Sequence, residues 1–283
     1  MITKIEVFSA LTSAPELPLG GTLASDDPVH IREITGLGPV KAEISTTPFA
    51  TSTGELYQGS SVGKRNIVMT LGFNPDYEGD QSYESLRQLL YAYLMPQAWT
   101  KLRFTTDSLP VVEIEGYVES FEPSIFAQDP EVQVSIICPR PDFIDPDAVI
   151  INGVVDDGTN EYAIEYIGTS PTGFEMRVQQ SVENSSYEGS LDISSELPDG
   201  TVQLFSIDPV EIDGLKYFKL STVKNQKRVQ NIAVADSAIT NLLANVTTGE
   251  WPEMQFGENL IKVIGEESGQ IWTLAYFNRF GGL

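Results

Sequence analysis

The sequence predicts a mostly β protein of two domains, and three observations carry that prediction. The first is length: 283 residues exceed one typical domain and suit two of about 140 residues, each able to bury its own core. The second is composition, since 41% hydrophobic and 10% aromatic residues belong to a folded chain and not a disordered one. The third is pattern. Val, Ile, Thr, Tyr and Phe recur in short runs broken by Gly, Pro, Asn and Asp, as in strands joined by turns.

The elements follow in order. Residues 3–9 alternate as a first strand, and a loop through Pro15, Pro18, Gly20 and Gly21 comes after it. Residues 29–34 and 41–46 alternate again, separated by Gly36-Leu37-Gly38-Pro39. Residues 46–61 are polar and Gly-rich, with few apolar anchors. They read as a long loop or an extended arm, and loops of that length inside compact domains usually have a function. A strand over 66–73 follows. The helix expected over 82–95 places Tyr83, Leu86, Leu89, Leu90, Tyr93 and Leu94 on one face. Ser82 or Asp80 caps it, and Pro96 stops it. Strands at 100–105, 111–118 and 132–138 complete the first domain. In the middle one, Glu113, Glu115 and Glu119 alternate against Val112, Ile114 and Val118, giving one wet and one dry face.

Three prolines fall within residues 139–146 and block both helix and ladder, so the boundary belongs there, giving domains of residues 1–140 and 141–283. Beyond it, strands are expected at 148–155, 162–166, 175–180, 188–193, 201–206, 210–220, 229–233, 259–265 and 270–276. Such regular spacing marks a sandwich or closed barrel. One short helix over 237–244 interrupts it, with Ile239, Leu242 and Leu243 facing inward.

Charge and inventory narrow the function. The net charge of −23 is spread over both halves and repels phosphate backbones and anionic membranes; a solvated surface that keeps copies apart explains it. The single cysteine, Cys138, excludes a disulfide framework and a Cys-rich zinc site, and its apolar surroundings predict an inert buried thiol. No signal-peptide core and no run of about 18 apolar residues is present, so cytoplasm-like conditions, or export within a particle, are expected. His30 is the one histidine, inside a predicted strand and with no nucleophile-elbow sequence beside it. Glu113 and Glu115 read as a solvated face, and Asp156-Asp157-Gly158-Thr159-Asn160 as a turn lacking the ligand spacing of a calcium loop. Gly36-Leu37-Gly38 precedes a proline and opens no helix, so it cradles no phosphate. The sequon at Asn184 and that at Asn245 lack a secretion signal to give them meaning. No enzyme, cofactor or metal is expected.

The basic pair Lys64-Arg65 stands out in so acidic a chain. It reads either as a solvated strand end or as half of an inter-subunit ion pair, with Arg65 meeting a neighbour's carboxylate. The second basic stretch, Lys224 to Arg228, reads as a solvated hairpin loop.

Three segments carry a resemblance to a known family. They are Ile34-Thr35-Gly36-Leu37-Gly38-Pro39, Ile44-Ser45-Thr46-Thr47-Pro48, and the run from Ser61-Val62-Gly63-Lys64-Arg65-Asn66 to Leu71-Gly72-Phe73, followed by a short helix ending at Pro96. In these the sequence resembles the distal tail proteins of siphophages, the Dit or siphovirus-type tail component family. The resemblance implies a first domain that is a β-sandwich or barrel-like, ring-forming belt with one helix. It implies a second that is a galectin-like β-sandwich. It also implies a ring, usually a hexamer, joining the tail tube to the tip or baseplate and touching the tape measure, the tail-associated hub protein and receptor-binding proteins. DNA is met only in passing through the channel. On this reading Thr46, Thr47, Pro48, Gly63, Lys64, Arg65 and Asn66 lie at the subunit interface, and the protein belongs to the virion tail tip. The second domain has no histidine, so galectin-like topology does not imply sugar binding. The alternatives are a tail-tube protein, a host-carbohydrate module using Tyr187, Trp251 or Trp272 as a platform, and a wall-degrading enzyme built on Glu113 or Glu115.

Overall fold

The computed structural model describes residues 2–13, 16–20, 27–50, 53–76, 81–107, 109–124, 129–156, 160–180, 186–266 and 269–283. Pro15, Gly21, Asp80, residues 157–159 and residues 184–185 of the sequence reading lie outside them. The chain forms two compact units, Met1–Pro146 with Phe280–Leu283, and Asp147–Arg279.

The first unit contains β1 (Ile2–Ser9), β2 (Leu17–Gly20), β3 (Val29–Thr35), β4 (Ala42–Pro48), β5 (Glu55–Val62), β6 (Arg65–Phe73), α1 (Tyr83–Leu94), β7 (Trp99–Thr106), β8 (Val112–Pro123), β9 (Glu131–Cys138) and β10 (Phe143–Ile144). Strands β8-β7-β1-β2-β3-β6-β9 pair in that order, and β9 pairs back to β8, closing a barrel. Among the described residues, β2 and β3 are joined by the parallel pair Gly20↔His30. Period-two alternation explains the interior: Ile5, Val7, Ile67, Met69, Leu71, Leu102, Phe104, Val134 and Ile136 are all buried. The helix is capped by Ser82, whose Oγ accepts from Ser85 N at 3.2 Å. Its Leu86, Leu90, Tyr93 and Leu94 join the same core, each leucine contributing about 1.5–3 kcal/mol of burial.

The division between units lies after Pro146, not after Arg140 as the prolines alone suggested. The physical reason is β10: Ile144 pairs with Glu113 of β8, and Phe143 is buried edge-on against Phe104 at 5.6 Å.

The second unit contains β11 (Val149–Val154), β12 (Tyr162–Tyr166), β13 (Glu175–Gln180), β14 (Ser186–Glu196), β15 (Val202–Asp213), β16 (Lys216–Ser221), β17 (Arg228–Ala233), β18 (Ile239–Asn241), a 3-10 turn (Leu243–Asn245), β19 (Val246–Gly249), β20 (Gly257–Gly265) and β21 (Gln270–Tyr276). One layer runs β11-β21-β13-β16-β17-β18 and the other β19-β15-β14-β20-β12. Asp213 pairs with Lys216 where the two layers meet at the β15–β16 turn, and Asp156, just after β11, bridges to Ile264 of β20. Met176, Val178, Phe218, Leu220, Trp272 and Leu274 of the first layer, with Tyr187, Leu191, Ile193, Phe205, Ile207, Ile261 and Val263 of the second, form one buried cluster. After it, β22 (Arg279–Phe280) lies beside β10 in the sheet of the first unit, and Phe280 enters that unit's core.

Two expectations for this unit are corrected. The helix over 237–244 is instead β18 and the 3-10 turn. Ser237 sits at φ 59°, outside the helical region. Asp236 and Asn241 turn their side-chain oxygens onto the N–H groups of Ala238 and Leu243. The strand expected to break before Val210 runs through Pro209 to Asp213, because Pro209 falls where the pairing with β14 shifts register, between Gly189↔Val210 and Leu191↔Ile207, and needs no ladder donor there.

Candidate subunit interface

Among the described residues, strands β4 and β5 pair only with each other. Their register runs from Ala42↔Val62 to Pro48↔Glu55, with a bulge where Ser45↔Gly59 gives way to Thr46↔Tyr57. Alternate residues of a strand share a face, and directly opposed residues share it too. One face therefore holds Ala42, Ile44, Thr46 and Pro48 with Val62, Ser60, Tyr57 and Glu55. Ile44 is 65% exposed, Tyr57 61% and Val62 57%. Polar groups of this face are tied to one another: Tyr57 Oη donates to Ser60 Oγ at 2.9 Å, and Thr46 Oγ1 to Glu55. The other face has Leu56 as its one large apolar residue, and Phe49 is exposed beside the turn. An isolated two-stranded hairpin is marginal in water, and clustered exposed apolar side chains mark a surface that another protein covers.

The residues singled out from sequence divide. Thr46, Thr47 and Pro48 are exposed on β4. Gly63 is half-buried at the end of the hairpin and Lys64 is exposed; among the described residues no carboxylate pairs with Lys64. Asn66 is exposed and meets Ser135 Oγ at 2.9 Å.

Arg65 is different. It is 1% exposed. Its Nε donates to Pro141 O at 2.6 Å, Nη1 to Gly36 O at 2.6 Å and Gly38 O at 2.7 Å, and Nη2 to Gly281 O at 2.6 Å. The guanidinium also lies 4.5 Å from the centroid of the Phe143 ring. Burial lowers its pKa from the ordinary arginine value, against the attraction of Cys138 and Asp142, and an arginine so placed stays charged. The ion pair expected between Arg65 and a neighbour's carboxylate is therefore corrected to an internal brace. The reason lies in β6, where Arg65, Ile67, Met69 and Leu71 alternate inward.

Other candidates hold no convergent chemistry. His30 is half-buried with Nδ1 unpartnered, and burial together with nearby Arg32 pushes its pKa below the usual imidazole value. Glu113 is paired to Arg103 at 2.7 Å and Lys101 at 3.0 Å. Burial pushes the Cys138 thiol up to about 11. Trp272 and Tyr187 are core residues, and Trp251 is half-buried against Phe205 with Lys227 above it. These three tryptophan and tyrosine side chains form no exposed platform. Among the described residues no three His, Cys, Asp or Glu side chains could share a metal ion, and no helix is long and apolar enough to cross a membrane.

What sequence reasoning missed is the apolar face of the hairpin. Residues 46–61 look polar because Tyr57 and Val62 are separated by five positions and Gln58 is left unpaired at the bulge. No period along β5 reveals that they share a face with Ile44.

No family model and no curated protein sequence matches the chain. Among solved structures, it is similar to the crystal structure of the Dit protein (gp 19.1) of phage SPP1, described as a paradigm of the hub adsorption apparatus in phages infecting Gram-positive bacteria. The two are 12% identical with a TM-score of 0.62, and the alignment covers 98% of this chain and 99% of that one. The likeness establishes a shared fold along essentially the whole chain. A chain of the phage P2 baseplate in its activated conformation with Ca aligns over 100% of both chains at 9% identity, but its TM-score of 0.43 is too low to argue from. The same holds for a β-fructofuranosidase from Schwanniomyces occidentalis, 10% identical, with a TM-score of 0.26 over 84% of this chain and 59% of that one.

Proposed function

We propose that this chain is a structural distal tail protein of a long-tailed bacteriophage, and not an enzyme. Its first unit assembles into a closed ring, a hexamer, and its working surface is the apolar face of the β4–β5 hairpin laid against the next copy. A rotational ring presents the same pair of patches at every junction and leaves no free end. The ring joins the tail tube to the tip or baseplate. It seats the hub and tape measure proteins and serves as a platform for receptor-binding proteins, within a virion assembled in the host cytoplasm.

One observation carries the reading: Ile44, Tyr57 and Val62 share a face that no described residue of the chain covers. The fold shared with SPP1 Dit directs it toward a tail hub. Thr46, Thr47, Pro48 and Lys64 lie in or beside the same junction. Arg65 acts from inside the subunit. Mass photometry and electron microscopy of the purified chain test the proposal, with rings of six chain masses expected. Long stacked tubes would assign the chain to the tail tube instead. A monomer that persists at high concentration, and forms no ring on tail components, would overturn the reading.

A further inference from the structure

We infer that Arg65 is a positioning residue that aims the β4–β5 hairpin by fastening both of its legs to the segment Phe280–Leu283. The purpose of that aim rests on the ring reading above; the fastening itself does not. The hairpin leaves the barrel through residues 36–41 after β3 and returns through residues 63–64 into β6. Because β4 and β5 pair with no other strand among the described residues, the two legs set the hairpin's direction.

Four of the hydrogen bonds that hold the legs converge on one guanidinium. Arg65 stands at the foot of the returning leg and donates across to Gly36 O and Gly38 O of the outgoing leg. The same side chain reaches Gly281 O and Pro141 O. Leu283 N donates to Leu37 O at 3.0 Å, a second tie between the same two segments. The contacts are close. A Cβ added at Gly282 would sit 2.8 Å from both N and Cδ of Pro39, and Gly36, at φ +86°, would place a Cβ 1.9 Å from Asn66 O.

The chemistry asks for arginine. Irregular segments leave backbone carbonyls without ladder partners, and buried ones need donors. Four carbonyls from three separate stretches of chain meet here, and only a guanidinium supplies enough N–H groups, in a rigid plane, to serve them together. A lysine offers a point charge on a flexible stem, and fixes no relative placement. None of the bonded atoms belongs to β4 or β5, so the clamp acts on the hairpin through its legs.

Two single substitutions and two readouts test this on the full-length chain. Arg65→Lys keeps the charge and loses the fork. Gly282→Ala keeps Arg65 and wedges Phe280–Leu283 away from Pro39, which preserves the test should Arg65→Lys fail to fold. Spin labels on cysteines introduced at Thr53, beside the hairpin turn, and Glu122, on β8, report the hairpin's direction by double electron–electron resonance; Cys138 is buried and does not label. The clamped chain gives one narrow distance. In both variants the distribution broadens at least about twofold and the ring-assembly midpoint rises at least ~10-fold, because a free arm must be ordered on binding. The circular dichroism spectrum stays unchanged.

A distribution that stays narrow in both variants overturns the clamp. Broadening with an unmoved assembly midpoint overturns the positioning role. A wild-type chain that never forms rings overturns the assembly reading instead, and the distance widths then still decide the clamp.

Discussion

The β14–β15 hairpin and the β4–β5 hairpin are both antiparallel pairs with one register shift, and they are buried in opposite ways. Along β14 every second residue, from Tyr187 through Leu191 and Ile193 to Ser195, is buried. Along β4 no residue is even half-buried, and on β5 only Gly59 is. Yet both hairpins carry large apolar side chains on one face. A strand pair needs a second layer to keep water from that face. The first finds its layer in β13, β16 and β21 of its own unit, whereas the second has none among the described residues. Exposed apolar side chains scattered singly mean little; three of them on one face of a free hairpin mean a missing layer.

That contrast can be broken by substitution. Phe205→Ala, in the covered hairpin, is expected to cost about 3–5 kcal/mol, because a cavity is left in a close-packed core; urea-induced unfolding checks it. Ile44→Asp, in the uncovered one, should leave monomer unfolding within about 0.5 kcal/mol of wild type. It should nonetheless weaken the proposed ring assembly at least ~100-fold, or about 2.7 kcal/mol, by placing a carboxylate in the proposed junction. Equal loss of monomer stability from both changes would show that the hairpin is already covered within the chain.

The remaining predictions sharpen inside against outside. The Cys138 thiol, raised to about 11, binds its proton more tightly folded than unfolded. Its contribution to stability is therefore complete below pH 9, the thiol's ordinary value, and is lost as pH rises from there through 11. Between pH 8 and pH 10 the loss is about 1 kcal/mol. Thermal unfolding across that range should show it, and Cys138→Ala should remove the slope. The smallest effect is expected for Leu56→Ser, on the opposite face of the exposed hairpin, which should alter assembly by no more than about 0.5 kcal/mol. An effect matching that of Ile44→Asp would mean that both faces are covered.

Much of the fold was legible in the chain. The strands at 162–166, 175–180 and 270–276 have the expected bounds, and α1 lies within one residue of its expected ends. Each is covered on one side by its own unit, and one-sided burial writes a period of two or 3.6 into the residues. Strand β5 wrote none, because no layer covers it and a bulge breaks its phase. The short strands β10 and β22 are too brief for any period. Of the candidate interface, Thr46 to Pro48 came forward by resemblance and Lys64 and Arg65 by charge, and Arg65 bonds inside its own subunit. Charge type told that it would find oxygen partners, but not whose.

Local pattern was enough for the mostly β character, the α-helix of the first unit, the acidic surface, and the thin supply of histidine and cysteine from which catalytic or metal sites are commonly built. Those properties depend on residue type and near neighbours. Three others came only with the folded chain: the hairpin face shared by Ile44, Tyr57 and Val62, the return of Phe280–Leu283 to the first unit, and the four carbonyls around Arg65. Cross-strand register and convergence join residues as far apart as Arg65 and Gly281, 216 positions along the chain. No periodicity in a linear sequence encodes a meeting at that range, because what selects it is the closure of the barrel and the need to satisfy buried carbonyls.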